Sequence, residues 1–577
     1  MNIRRIKRIE TIILTAFLAL GTIGCGKQAV IEEKAQSEDS GLSLNVIDDK
    51  YRTTYEVFVY SFYDSDGDGI GDLKGLTQKL DYINDGDDET DTDLGCNEIW
   101  LMPICPSPTY HKYDVTDYMD IDPEYGTMDD FDELISKCHE RGVNVIVDTV
   151  FNHTSVEHPW FTEAAGYIAD NADIISSRND TVDRKSDEST GLVFLEDDLE
   201  LCPYLSYYNF SYEKSDGYEP LSGTDFYYEA RFWSGMPDLN LDNDKVKEEL
   251  SEITQFWIDH GVDGFRLDAV SYYYTGDDSK NIEFLAWLND TVKAQKEDAY
   301  IVGECWTNSS TYTKYYSSGV DSFFDFDFAG SEGVIAGIAR GTSSASNYAD
   351  ALVKMESAIS DNGKEAIDAP FYTNHDMARS AGYYTGKGSQ DKVKLAGALN
   401  LLMTGNAFIY YGEELGMKGS GKDENKRAPM LWSSTDATGM CDGPADMDSF
   451  DMKYGAFDEQ AIDEYSIYNY YKAAIRLRNI FPVIARGTTG TVKELSDSDV
   501  CAFTRSKKEG SEYDFETDSL LIVINASDEV KTVDLSLSDE IKEYRSLVYS
   551  LNTAKEDSSL DGDKLTIPAF GIAVFSK

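Results

Sequence analysis

From residue 51 to about residue 480, short apolar runs alternate with longer stretches whose apolar residues recur at helical spacing. Strands alternating with amphipathic helices predict an α/β fold around a parallel sheet. The strand-like runs lie at 55–60, 98–101, 143–148, 261–268, 300–304, 322–325, 370–374 and 407–411, with helical patterns such as 245–260 and 391–403 between them. Eight strand–helix units match a (β/α)8 TIM barrel.

The rhythm breaks twice. About eighty residues rich in Asp, Ser, Tyr and Asn separate the third strand from the pattern that resumes near Arg231, far more than an ordinary strand–helix loop. Residues 153–231 are therefore expected to form an inserted domain over one end of the barrel, which itself takes 51–152 and 232–480. A second long loop, 416–463, follows the eighth strand. Past residue 480 the helices end, and short strand-like runs at 519–524 and 567–575 predict a C-terminal β-sandwich over 481–577.

Arg4, Arg5, Lys7 and Arg8 precede an apolar run from Thr11 to Ile23, too short for a comfortable membrane span, that stops at Gly24, Cys25 and Gly26. This resembles a bacterial lipoprotein signal over 1–25 with Cys25 lipidated, followed by a flexible acidic tether over 26–50. It predicts a protein on the extracellular face of a bacterial membrane, or a secreted one. The other seven cysteines are scattered, odd in number and lack metal-ligand spacing, so they read as buried apolar residues. A formal net charge of −55 repels nucleic acid and anionic lipid and suits a neutral substrate.

Three of the runs lead into acids, Asp268, Glu304 and Asp376. The C-terminal ends of the strands are where such a barrel carries its chemistry. Hydrolysis of a sugar acetal needs one carboxyl group to attack or assist water and another to protonate the departing oxygen. The pattern predicts a glycosidase.

Five segments carry a closer likeness: DTVFNH at 148–153, MPDLN at 236–240, GFRLD at 264–268, GECW at 303–306 and NHD at 374–376. In this order they resemble glycoside hydrolase family thirteen, the α-amylase family, across residues 51–577. The resemblance implies Asp268 as nucleophile, Glu304 as general acid/base and Asp376 as the carboxylate that stabilises the transition state. It implies substrate contacts from Tyr113, by stacking, and from His153 and His375, by hydrogen bonds. Arg266 is grouped with them and, two residues before Asp268 on the same strand face, is placed to hold that carboxylate ionised. Asp148 reads as a structural partner of Arg266. Trp233 and Trp306 read equally as core or as sugar platforms, and His139 and His260 as incidental helix residues. Double displacement through Asp268 retains the anomeric configuration.

Residues 64–72, DSDGDGIGD, alternate carboxylates with glycines, as loops that wrap oxygen ligands around Ca²⁺ do. An EF-hand is excluded, because Gly75 stands where its bidentate Glu belongs and a strand precedes the loop. The resemblance implies a structural Ca²⁺ bound by Asp64, Asp66, Asp68 and Asp72 and by the Ile70 carbonyl. A second Ca²⁺ site of many relatives is not assigned: Asn152 matches one ligand, but Ser271 and Tyr272 replace the family's Lys-His pair.

The implied partner is an α-glucan, starch or maltooligosaccharide, handled by a monomer whose only membrane contact is the lipid. Tyr110 stands where exo-acting relatives carry an Asp, which favours endo-hydrolysis of α-1,4 bonds as in an α-amylase. Val270 and the type of Ca²⁺ loop point instead toward oligo-1,6-glucosidases and neopullulanases. A transglycosylase and a silent surface glycan-binding protein stay open.

Overall fold

Seven strands form one parallel sheet: β1 (Thr53–Val57), β2 (Glu98–Leu101), β3 (Asn144–Thr149), β4 (Gly264–Leu267), β5 (Tyr300–Gly303), β6 (Ser322–Phe323) and β7 (Ala407–Tyr410). Their order is β7-β1-β2-β3-β4-β5-β6. The edges join through residues 369–371, where Phe324 bridges Ala369 and Phe371 bridges Phe408. This is the expected seventh strand reduced to single bridges: Pro370 has no N–H to add to the ladder, although its carbonyl accepts from Phe408 N at 2.8 Å. The first strand ends before its apolar run does. Val59–Ser61 coil into a 3₁₀ turn with Val59 still buried, because the run encodes burial and not pairing.

The computed structural model describes residues 49–87, 89–179, 190–363, 365–511, 513 and 515–577. The expected signal segment, Cys25 and the expected tether through residue 48 lie outside the described residues. Asp49 and Lys50, assigned to the tether for their polarity, belong instead to the folded part. Asp49 accepts from Arg486 at 2.7 Å and Lys50 donates to Asp321 at 2.7 Å.

Inside the ring, Trp100, Ile146, Tyr300, Val302, Phe324, Phe371 and Phe408 pack into a filled core rather than a pore. Around it lie α1 (Met128–Glu140), α2 (Asp244–Asp259), α3 (Asp278–Gln295), α4 (Asn347–Ser360), α5 (Ser389–Leu401) and α6 (Ile467–Ile480). Helix α1 begins where Thr127 and Asp130 cap each other's backbone, and it buries Phe131, Leu134, Ile135 and Cys138 along one face. No helix among the described residues is long and apolar enough to cross a membrane.

The inserted segment carries a helix at Pro159–Asp170 and a small antiparallel sheet with Tyr227–Glu229 between Phe210–Ser211 and Tyr218–Pro220. Its ties run past residue 231, through bridges from His153 to Asp238 and from Tyr208 to Leu239. In the C-terminal region, Ser519–Asn525 is buried at every position. Leu520, Ile522 and Ile524 join the main core, while Leu521 and Val523 face Val533, Leu565 and Ile567 of a second sheet. A strand covered on both faces reads as a continuous apolar run. All seven described cysteines are free and buried.

Candidate active site

Strand β4 brings a cation into the ring. At Gly264 a Cβ would lie 1.9 Å from the Tyr300 carbonyl oxygen, so only glycine allows β5 this close. Arg266 is fully buried and pairs in register with Asp148 of β3. Its Nη1 donates to Asp148 Oδ1 at 2.9 Å and to Asp268 Oδ1 at 2.7 Å. Its Nη2 lies 3.0 Å from Glu304 Oε2, an ion-pair distance without hydrogen-bond alignment. One guanidinium thus gathers three carboxyl groups, which offset the cost of burying it. Arg266, expected among the sugar contacts, is enclosed and acts on the carboxyls instead.

The residue after Asp268 is strained. Ala269 has φ +46°, in the left-handed region, and its N–H donates to Glu304 Oε2 at 3.1 Å. Asp268 N donates to the Thr149 carbonyl and Glu304 N to the Leu267 carbonyl, so both acids are seated by backbone of neighbouring strands.

The opposite wall is a hydrogen-bonded chain. Glu56, inside β1, lies 2.6 Å from His375 Nδ1. His375 Nε2 lies 2.7 Å from the Tyr113 hydroxyl and 3.1 Å from Asp376 Oδ2. The Tyr113 hydroxyl donates to Asp148 Oδ2 at 3.0 Å, and its ring stacks on His375 at 5.5 Å. The series Glu56, His375, Tyr113, Asp148, Arg266 therefore runs unbroken beneath the site. Arg427 closes it, with Nη2 donating to Asp376 Oδ1 at 2.8 Å and Nη1 to the Tyr110 hydroxyl at 3.0 Å. Asp376 keeps a third of its side chain exposed.

These contacts set the charges. Burial pushes Glu304 up to about 7, with Arg266 opposing and Asp268 adding to the rise. Burial likewise takes Asp148 up to about 6. Burial opposes charge on His375, but Asp376 and Glu56 outweigh it and lift the imidazole to about 9. Charged, it donates from both nitrogens. Burial also opposes charge on Asp376, but His375, Arg427 and Arg266 hold its carboxyl well below the usual carboxylate range. A carboxyl poised near neutrality, Glu304, in a site where Asp376 is kept ionised is the kind of division of labour that acetal hydrolysis requires.

Comparison with known proteins follows the same lines. The profile of the α-amylase catalytic domain matches residues 56–487. The chain belongs to the α-amylase family of glycoside hydrolases. Alpha-amylase 3 of Dictyoglomus thermophilum is 37% identical over 88% of this chain and 90% of its own length. An oligo-1,6-glucosidase of Parageobacillus thermoglucosidasius is 28% identical over 88% of this chain and 96% of its own. Among solved structures, Eubacterium rectale Amy13B superposes with a TM-score of 0.83 at 48% identity, covering 93% of this chain and 97% of that one.

Within this α-amylase-family barrel the remaining expected residues are placed as follows. His153 is buried, with Nε2 3.2 Å from the Tyr113 carbonyl. Trp233 and Trp306 are about half exposed, so neither is core. His139 and His260 pair with Asp263 and Asp132, away from the carboxyls. Asn152 donates to Asp238. In the loop after β1, Asp64, Asp66 and Asp72 bring carboxylate oxygens within 4.8 Å of one another. Asp68 stands outside this trio and accepts from Ile70 N at 2.8 Å.

Three residues of the site were not singled out from sequence. Glu56 had a signal, an acid inside an apolar strand. Ala269 and Arg427 had none, because backbone strain and a contact from the 416–463 loop exist only in the folded chain.

Proposed function

We propose that this enzyme is an endo-acting α-amylase that hydrolyses α-1,4 bonds of starch and maltooligosaccharides with retention of configuration. Asp268 attacks the anomeric carbon as Glu304 gives its proton to the departing glycosidic oxygen, breaking that bond and leaving the sugar on Asp268. Glu304, now a carboxylate, takes a proton from water. The water oxygen attacks the same carbon and Asp268 departs. Asp376 accepts from a ring hydroxyl, His375 donates to one, and Tyr113 lies against the ring.

The observation that carries the endo reading is Tyr110. Its hydroxyl accepts a hydrogen bond from Arg427 at 3.0 Å, so no carboxylate at this position grips a chain end. Product profiles from soluble starch and from panose test the reading. Falling iodine colour with mixed maltooligosaccharides and slow attack on panose support it. Rapid release of glucose and maltose from panose, with starch hardly touched, would move the enzyme to the oligo-1,6-glucosidases.

The same reading includes a structural Ca²⁺ in the loop after β1. Asp64, Asp66 and Asp72 form a clustered set of hard oxygen donors that suits this ion, and each carboxylate has lone pairs beyond its loop hydrogen bonds. The ion would brace the loop and take no part in bond cleavage. It also includes a lipid on Cys25, which Cys25→Ala tests through release of activity from the cell surface.

A further inference from the structure

Strand β1 carries a carboxylate where a parallel strand covered on both faces ordinarily carries an apolar side chain. Glu56 is buried, and its backbone pairs in register with Trp100 of β2 and Tyr410 of β7. A buried carboxylate needs partners that offset its desolvation. Glu56 accepts from His375 twice, from Nδ1 at 2.6 Å and from the backbone N at 3.4 Å. The first strand thus grips the residue that precedes Asp376.

The other imidazole nitrogen looks into the site, with Nε2 2.7 Å from the Tyr113 hydroxyl and 3.1 Å from Asp376 Oδ2. An imidazole carries two N–H groups only when charged. A neutral ring that keeps Nδ1–H for Glu56 turns a lone pair from Nε2 toward the Asp376 carboxylate. A neutral ring that keeps Nε2–H leaves Glu56 without its donor. A carboxylate on each side therefore selects the charged ring. Trp100 meets it edge-on at 5.7 Å and Tyr113 stacks on it. Arg266, Asp148, Glu304 and, behind Asp376, Arg427 act on this group of charges from further off, and Tyr410 lies beside Glu56. Burial opposes charge on the ring, but Asp376 and Glu56 together lift it to about 9. Burial also raises Glu56, with His375 and Arg266 opposing the rise.

We propose that Glu56 is a positioning residue that fixes His375 as a doubly donating imidazolium, so that the Nε2–H beside Asp376 persists into alkaline solution. This rests on the reading of His375 as a donor to the sugar being cleaved. Glu56 itself touches no sugar and acts through the ring.

The test follows kcat/KM for α-maltosyl fluoride across pH. The C1–F bond breaks as Asp268 bonds to C1, and fluoride leaves without taking a proton. Water then gives its oxygen to C1 and a proton through Glu304 to solvent, and Asp268 departs. Glu304 is not needed as an acid here, so the alkaline limb reports His375. Wild-type values are expected to hold until about pH 9. In Glu56→Gln the alkaline midpoint is expected to fall by about one pH unit or more, because Asp376 alone then opposes burial. Glu56→Asp, which keeps the charge, is expected to return it toward the wild-type value. An unchanged midpoint in Glu56→Gln, or a loss equal at every pH, overturns the proposal, since a merely structural residue acts in that way. A wild-type limb near pH 7 overturns it too.

Nitrogen-15 NMR of the histidines needs no change at Glu56. With His139→Gln and His260→Gln removing the imidazoles paired with Asp263 and Asp132, one imidazolium is expected to remain at pH 8, because burial lowers His111, His153 and His158. A spectrum with none overturns the proposal. Wild-type protein that releases no fluoride overturns the reading of the carboxyls, and this proposal with it.

Discussion

Arg427 Nη2 donates to Asp376 Oδ1 at 2.8 Å from a position 51 residues further along the chain. The same guanidinium reaches Tyr110, so one side chain fixes both the third carboxylate and the wall beside it. A hydrogen bond to a charged group contributes about 1.5–3 kcal/mol. Arg427→Met should therefore lower kcat/KM on maltopentaose about ten- to a hundredfold with the fold retained. Undiminished activity would mean that Asp376 needs no such support.

As the proposed acid, Glu304 must carry its proton at the start of each turnover, and burial pushes it up to about 7. As pH rises through that value the protonated fraction falls, so kcat/KM should decline about tenfold per pH unit on the alkaline side. Glu304→Gln should lower turnover by about 10²–10⁴-fold. A loss below about tenfold would assign the proton to another group.

Stability should also respond to pH. Burial raises Glu98, Glu413 and Asp325 to about 7 each. Unfolded, such carboxyls release their protons near pH 4, so between about pH 4 and 7 the native chain binds more protons than the unfolded one. This contribution is fully present below about pH 4 and lost as pH rises through about 7. Tm should be higher at about pH 5.5 than at about pH 8, and Glu98→Gln should narrow the gap. A Tm that rises across this interval would contradict the assignment.

Removal of Ca²⁺ should lower Tm. A free ion concentration about 100 times Kd adds about 2.7 kcal/mol to the folded state. Calorimetry with and without excess chelator measures this, and Asp66→Asn should shrink the difference. Identical midpoints would leave the 64–72 loop a turn without metal.

Much of the barrel was legible because each strand falls in a short, mostly apolar run between amphipathic helices. The seventh strand was legible as a run, but its pairing was not, since Pro370 reduces it to bridges. The carboxyls stood out because Asp268 and Glu304 end such runs. Glu56 and Arg427 were harder. The first hides in a strand and meets His375 across 319 residues. The second sits in a loop without periodicity and gains its role only through tertiary contact. Lys112, buried with φ +64° and paired with Asp122 at 2.9 Å, is a further device that no local pattern announces.

The proposed mechanism rests on double displacement through Asp268, with Glu304 as acid and base. The anomer first released from maltopentaose, followed by proton NMR before mutarotation, tests it most directly. The expected initial product is the α-anomer. Initial accumulation of the β-anomer would show direct attack by water and contradict it.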